Sequence, residues 1–183
     1  MFLSIVEKPD APEYCYHQYL WAYFNEEKTA ERQFVYRIFN NALLLLSRHP
    51  PSCPNVFLND KIESGRAYQF DLLCSPIRGT YRDDSGKRHR RGSYQTHIER
   101  QQWLARRFED SADIKFSQVF NRPLRVIKKA DGKLIMLHEC TIRGVIYVND
   151  KSNFIDKLLT GIGGRGAWGH GLMVLPEIMQ CKP

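Results

Sequence analysis

The sequence predicts an α+β protein of two tandem ferredoxin-like (RRM-like) units, the N-terminal one abbreviated. Three observations carry this reading. Strand-like and helix-like segments run in the order β-α-β-β-(α)-β, and that order then repeats. The chain has 183 residues, enough for two small units or one medium domain with a real core. Its composition, 43% hydrophobic and 26% charged, is ordinary for a folded chain. The division falls near residue 63, giving one unit over residues 1–63 and a second over 64–183.

Each element has a local reason. Phe2 to Lys8 alternates as an opening strand, and Pro12 suits the first position of a helix over Glu13 to Phe24. Leu20, Trp21 and Phe24 lie at helical spacing on it. Arg32 to Phe39 and Ala42 to Ser47 read as paired strands around Asn40-Asn41, which tolerates the positive φ of a tight turn. Pro50, Pro51 and Pro54 leave almost no room for a second helix before the short strand Val56 to Leu58. In the second unit a strand spans Ala67 to Ile77. A helix spans Thr96 to Asp110, with Ile98, Leu104, Ala105 and Phe108 on its apolar face. Strands follow at Ile114 to Val119 and Leu124 to Lys129, then Asp131-Gly132 turns the chain into one long strand, Leu134 to Val148. Asp150 or Ser152 caps a helix over Asn153 to Thr160, Gly161 ends it, and Leu172 to Leu175 is the last strand.

Charge is placed unevenly. Between Pro76 and Phe108 nine basic residues stand against three acidic ones, so six of the net +7 charges lie in this stretch. All nine but Lys87 are arginines, which grip phosphates and guanine edges through a planar fork. That is the electrostatic footprint of a nucleic-acid contact surface. The five cysteines are scattered with no paired spacing, which predicts reduced thiols rather than a disulfide framework or a zinc site. No apolar run approaches the roughly 20 residues of a membrane span, and MFLSIVEK does not read as a signal peptide. The expected location is cytoplasmic.

The segment GIGGRGAWGHG, Gly161 to Gly171, has six glycines in eleven residues. Such a loop can lay its backbone N–H groups against an anion beside Arg165. Gly161, Gly163 and Gly166 satisfy GxGxxG, but they follow a helix and precede a strand, the reverse of a dinucleotide fingerprint. His17, on the first helix with Tyr14 three residues before it, is the leading group for proton transfer near neutral pH. The same position also suits a half-buried histidine satisfied by a carbonyl. His170, within the glycine loop, is the second candidate. His138 reads as a structural residue of a strand. Trp103, between Arg100 and Arg107, either stacks on a base or packs onto the sheet. No histidine–carboxylate spacing suits a metal, so neither metal nor cofactor is expected.

Taken in order, YCYHQYLWAYF (14–24), RQFVYRIF (32–39), the basic linker, QQWLARRF (101–108), GVIYVND (144–150), FIDKLLTGIG (154–163) and GHGLMVLP (169–176) resemble one family. It is that of the CRISPR-associated repeat endoribonucleases of the CasE kind, which serve type I-E Cascade complexes. The specific part is GhGxxxxxGhG, matched by Gly161, Gly163, Gly169 and Gly171. The resemblance implies metal-independent cleavage of the repeat stem-loop of precursor CRISPR RNA, leaving a 2′,3′-cyclic phosphate and a 5′-hydroxyl. It places His17 and Tyr14 in the catalytic positions. The product hairpin stays bound, and the effector complex, above all its backbone subunit, is the implied partner. For RNA contact the expected residues are Arg78, Lys87, Arg88, Arg90, Arg91, Arg100, Arg107 and Arg165, with Gly161, Gly163, Gly169 and Gly171. The sequence departs from the family in its short segment 48–62, as a trimmed form from another CRISPR type, such as type IV, would. A non-catalytic hairpin-binding subunit is the alternative within the same fold.

Overall fold

The computed structural model describes residues 1–24, 33–39, 41–86, 88–90, 92–164 and 166–179. The first sheet holds β1 (Phe2–Glu7), β2 (Phe34–Phe39), β3 (Ala42–Ser47) and β4 (Val56–Phe57) in the order β2-β3-β1-β4. The second holds β5 (Ala67–Cys74), β8 (Ala112–Asn121), β11 (Cys140–Val148) and β12 (Met173–Val174) in the order β12-β5-β11-β8. Numbered within its own unit, each antiparallel sheet reads 4-1-3-2, the arrangement of a ferredoxin-like fold. Two hairpins are inserted in the second unit: β6 (Thr80–Arg82) with β7 (Arg88–Arg90), and β9 (Arg125–Lys128) with β10 (Leu134–Leu137). Helices α2 (His97–Phe108) and α3 (Lys151–Thr160) belong to the second unit, and α1 (Tyr16–Trp21) to the first. No helix among the described residues is long and apolar enough to cross a membrane.

The middle of the first sheet is buried on both faces, which explains its uninterrupted apolar strands. Leu43 and Leu45 join Tyr16, Leu20 and Phe34 under α1, while Leu44 and Leu46 join the main core with Phe70, Phe154 and Leu158. That main core runs through both units, while a smaller cluster of Val6, Tyr16, Leu20, Phe34, Tyr36, Leu43 and Leu45 lies wholly within the first. The two units are welded by burial, not tethered by a linker. Cys74 and Cys140 lie opposite each other in the β5–β11 ladder with sulfurs 3.7 Å apart, and burial pushes the Cys74 thiol up. They are buried thiols, as expected; Cys15 and Cys53 are half-buried, and Cys181 lies outside the described residues.

Four elements differ from the sequence reading. The first helix is α-helical over six residues only, entered through a 3-10 turn (Glu13–Cys15) and left through i→i−3 bonds to Phe24. Six aromatic residues between positions 14 and 24 crowd the α-helical turn, and such residues are weak helix formers. The arginine-rich loop forms the β6–β7 ribbon. The long strand Leu134–Val148 breaks at His138-Glu139, where Glu139 turns inward to a buried ion cluster and His138 is exposed, not a structural strand residue. On α2 the buried face is Trp103, Leu104 and Phe108; Ile98 is 66% exposed, so the stripe is rotated from the expected one.

The start of α2 supplies a modest stability prediction. Thr96 accepts from the Glu99 N–H, and the Glu99 carboxylate accepts from the Thr96 N–H, a reciprocal capping box. The N–H groups of Thr96 and Gln95 hold the exposed Glu99 carboxyl below its ordinary range. Thr96→Ala is expected to cost about 1 kcal/mol, lowering the unfolding midpoint by roughly 2–4 °C in a calorimetric scan.

Candidate active site

The expected catalytic pair sits where the two units join. Tyr14, in the 3-10 turn, and His17, in the first turn of α1, are both half-buried. The His17 ring rests 5.3 Å from the Phe34 ring and 6.2 Å from Trp21, edge-on to the latter. It therefore sits on an aromatic floor with one side toward solvent, which limits its rotamers while leaving it reachable. Residues Gly166–Trp168 form a 3-10 turn of the glycine-rich segment, placed beside both the helix and β2. Tyr36 of β2 fixes that turn by donating its hydroxyl to the Ala167 carbonyl at 2.7 Å.

Arg125, on β9, ties these parts together. Its guanidinium pairs with Glu13, the neighbour of Tyr14, and donates to the Trp168 carbonyl at 3.1 Å. It also meets the buried Glu139 carboxylate at 2.6 Å. His170 Nε2 donates to the same carboxylate at 2.8 Å. Burial alone would raise the Glu139 carboxyl, but the His170 hydrogen bond and the adjacent Arg125 charge hold it below its ordinary value. His170 is fully buried, so it is a structural partner of Glu139 and not a second catalytic histidine. Neither Arg125 nor Glu139 was legible as part of the site. The one trace of them was an acid interrupting an otherwise strand-like run.

The glycine loop makes part of its backbone bonds inside the protein. The N–H of Gly161 donates to Lys157, that of Gly169 to Gly166, and that of Gly171 to Leu73, while Ile162 N–H donates to Gly171. These four N–H groups are spent within the protein, on α3, on β5 and on the loop's own carbonyls. Two glycines are needed for close approach. A Cβ on Gly163 would stand 2.8 Å from the Trp103 ring, and one on Gly171 would stand 3.0 Å from the Ile162 backbone, both at positive φ. Trp103 is itself buried under Gly163, with Arg107 over its ring at 5.6 Å, so it packs and does not stack a base.

Among the expected RNA contacts, the structure brings some together. Arg107 shares a groove of about 810 Å³ with Arg106, Lys157, Gly161, Gly163 and Gly79 at the foot of the β6–β7 ribbon. Arg88 and Arg90 lie on β7, with Arg88 opposite Arg82 in the ladder. Arg78 pairs with Glu99 at 2.7 Å and stacks on Tyr94 while remaining half-exposed. Arg100 is engaged internally, bonded to Asn121 and to the Tyr94 carbonyl, and is a poorer contact candidate than expected. Lys87, Arg91 and Arg165 lie outside the described residues. Among the described residues, no three His, Cys, Asp or Glu side chains cluster as metal ligands would.

A family model described as CRISPR associated protein matches residues 6–176. The chain belongs to that family. Its fold is shared with Cas6e from Escherichia coli K-12, at TM-score 0.74 and 23% identity over 96% of this chain and 98% of that one. It is equally similar to the CRISPR endoribonuclease Cse3 bound to a 19-nucleotide RNA, at TM-score 0.75, 20% identity, and 96% and 99% coverage. A chain of E. coli Cascade bound to a PAM-containing double-stranded DNA target matches at TM-score 0.61, 19% identity, and 96% and 98% coverage. No match is found among curated protein sequences. The family and the fold thus agree with the resemblance drawn from the sequence blocks.

Proposed function

We propose that this CRISPR-associated chain is a metal-independent endoribonuclease that cuts the repeat stem-loop of precursor CRISPR RNA. It keeps the cut hairpin and joins a CRISPR effector complex, with the backbone subunit its nearest protein neighbour, in the cytoplasm. The carrying observation is that the glycine-rich turn packs beside the helical segment bearing Tyr14 and His17, with Arg125 bonded to both. Solved structures of the same fold, named as a CRISPR endoribonuclease with RNA and as a Cascade chain, support the reading.

The chemistry follows from the groups present. The 2′-hydroxyl upstream of the scissile phosphate gives up its proton to solvent water and attacks phosphorus in line. The bond to the 5′-oxygen breaks, and that oxygen takes a proton, leaving a 2′,3′-cyclic phosphate and a 5′-hydroxyl. His17 is the proton donor to the leaving oxygen, and Tyr14 orients the 2′-hydroxyl or the phosphate. Arg165 or the loop backbone offsets the charge that develops on the phosphate.

The test is cleavage of the cognate repeat RNA in excess EDTA. Site-specific cutting with a cyclic-phosphate end is the expected result. The packing of His17 against Phe34 and Trp21 would equally suit a structural histidine in a hairpin-holding subunit. Tight hairpin binding with no cutting would establish that second reading instead.

The RNA-facing groove makes a separate prediction. Arg88→Ala, Arg90→Ala and Arg107→Ala should each weaken hairpin binding and lower the slope of log K against log salt by about 1. Arg100→Ala should leave that slope unchanged, because its guanidinium is already bonded to the Tyr94 carbonyl and Asn121. A slope unmoved by all four changes would remove this face from the RNA interface.

A further inference from the structure

A second concave surface lies apart from the glycine loop, where the two sheets meet. In the first sheet Arg37, Leu44 and Ile5 stand side by side across β2, β3 and β1. In the second, Val174, Asp71 and Arg143 stand side by side across β12, β5 and β11. These rows line a cleft of about 640 Å³ that also takes in Phe39 and Met179. Arg37 joins them through a 2.7 Å ion pair to Asp71, and Arg143 reaches the same carboxylate at 2.6 Å. Nothing in the RNA-cleavage reading uses this surface.

Its chemistry is specific. Ile5 is 49% exposed and Phe39 56%, an unusual display for large apolar residues on the two strands that flank β3. Beyond Arg143 the apolar surface continues onto β8, where Phe116 is exposed and Phe120 lies under the Arg143 guanidinium at 5.4 Å. Aromatic and aliphatic side chains around an arginine make up the buried centre of a protein–protein interface. Two guanidiniums share one carboxylate, so the floor carries one uncompensated positive charge among apolar walls. A carboxylate entering there would be paired in a desolvated setting. A polyanion is a poor fit, because it needs a row of cations and, among the described residues, the cleft exposes only Arg143.

We propose that this cleft docks an apolar protein segment bearing one acidic side chain, supplied by another subunit of the effector complex. The acid pairs with Arg143 while its apolar neighbours fill the space between Ile5, Phe39 and Met179. The proposal rests on the effector-subunit reading above and adds the surface and the chemistry of the partner segment.

The test co-expresses the full chain with the other subunits of its effector complex and a repeat–spacer RNA. Wild type is compared with Phe39→Ser and Arg143→Glu. Hairpin cleavage by each isolated protein is measured alongside. Both variants are expected to cut and hold the hairpin as wild type does, yet to lose recovery in the complex at least roughly tenfold. A photo-crosslinker at position 39 should capture one peptide of a partner subunit that contains Asp or Glu. Changing that acid to Arg should restore recovery of Arg143→Glu. Full recovery of both variants overturns the proposal while leaving the nuclease reading intact. A crosslink to RNA, or to residues 180–183 of the same chain, also overturns it. If wild type cuts the hairpin but joins no complex, the docking proposal falls together with the effector-subunit part of the functional reading, and the nuclease part stands. If it neither cuts nor binds the hairpin, the functional reading falls with it.

Discussion

Replacing His17 by alanine is expected to lower repeat cleavage by about 10²–10⁴-fold while leaving hairpin affinity within a few-fold of wild type. The size follows from removing one proton donor from a reaction whose leaving group is an alkoxide. The separation of binding from cutting follows from position. His17 stands on the aromatic floor of α1, whereas the basic groove of Arg106, Arg107 and Lys157 lies along the far end of the glycine loop. Single-turnover rates with saturating enzyme would measure the chemical step without product release. Loss of cleavage together with loss of binding would make His17 a structural residue. Full cleavage by the variant would move the proton donor elsewhere, and His170 could not take the role because it is buried against Glu139. Tyr14→Phe gives a useful contrast. It removes one hydroxyl from the same strip of surface and should slow cutting without changing the products.

The fold was largely readable because its signals are local. Leu43 to Leu46 and the Asp131-Gly132 turn announced paired strands, and the ladders formed at those positions. Asp150 announced the start of α3, and its side chain caps the Asn153 N–H at 3.0 Å. The pairing of units through one core was not readable, because Leu44 and Leu46 look the same whether their outer face meets solvent or a second unit. The candidate site was half readable. Tyr14 and His17 stand out by type and spacing. Arg125, Glu139 and Glu13 come from three distant stretches and meet only after folding, so no spacing could join them. The glycine loop was recognised as special, but the packing that requires its glycines was not. Its glycines admit the Trp103 ring and the Ile162 backbone, and the resulting tight turn presents Gly166–Trp168 to the helix.

That meeting of distant charges makes Glu139 the most sensitive position in the site's support. Its carboxylate is 5% exposed and holds His170 at 2.8 Å and Arg125 at 2.6 Å. Glu139→Ala would leave the buried His170 without its acceptor and one side of Arg125 uncompensated. Breaking a buried pair costs roughly 3–5 kcal/mol, and the lower end applies here, since Arg125 keeps Glu13 and is partly exposed. About 3 kcal/mol lowers the unfolding midpoint by roughly 6–12 °C near neutral pH. The pH dependence has a definite sign. The folded Glu139 carboxyl titrates below its ordinary value of 4.5, so its contribution is fully present above that value. It is lost as pH falls through the lower folded value, once the carboxyl is protonated in both states. The gap between wild type and Glu139→Ala should therefore be widest near neutrality and close as the solution is acidified below the ordinary carboxyl range. Thermal scans of both proteins across that range would measure it. A gap independent of pH would mean that Glu139 acts through packing alone. A gap that closes would place the charge of Glu139 in the clamp that joins the helix bearing Tyr14 and His17 to the glycine-rich turn.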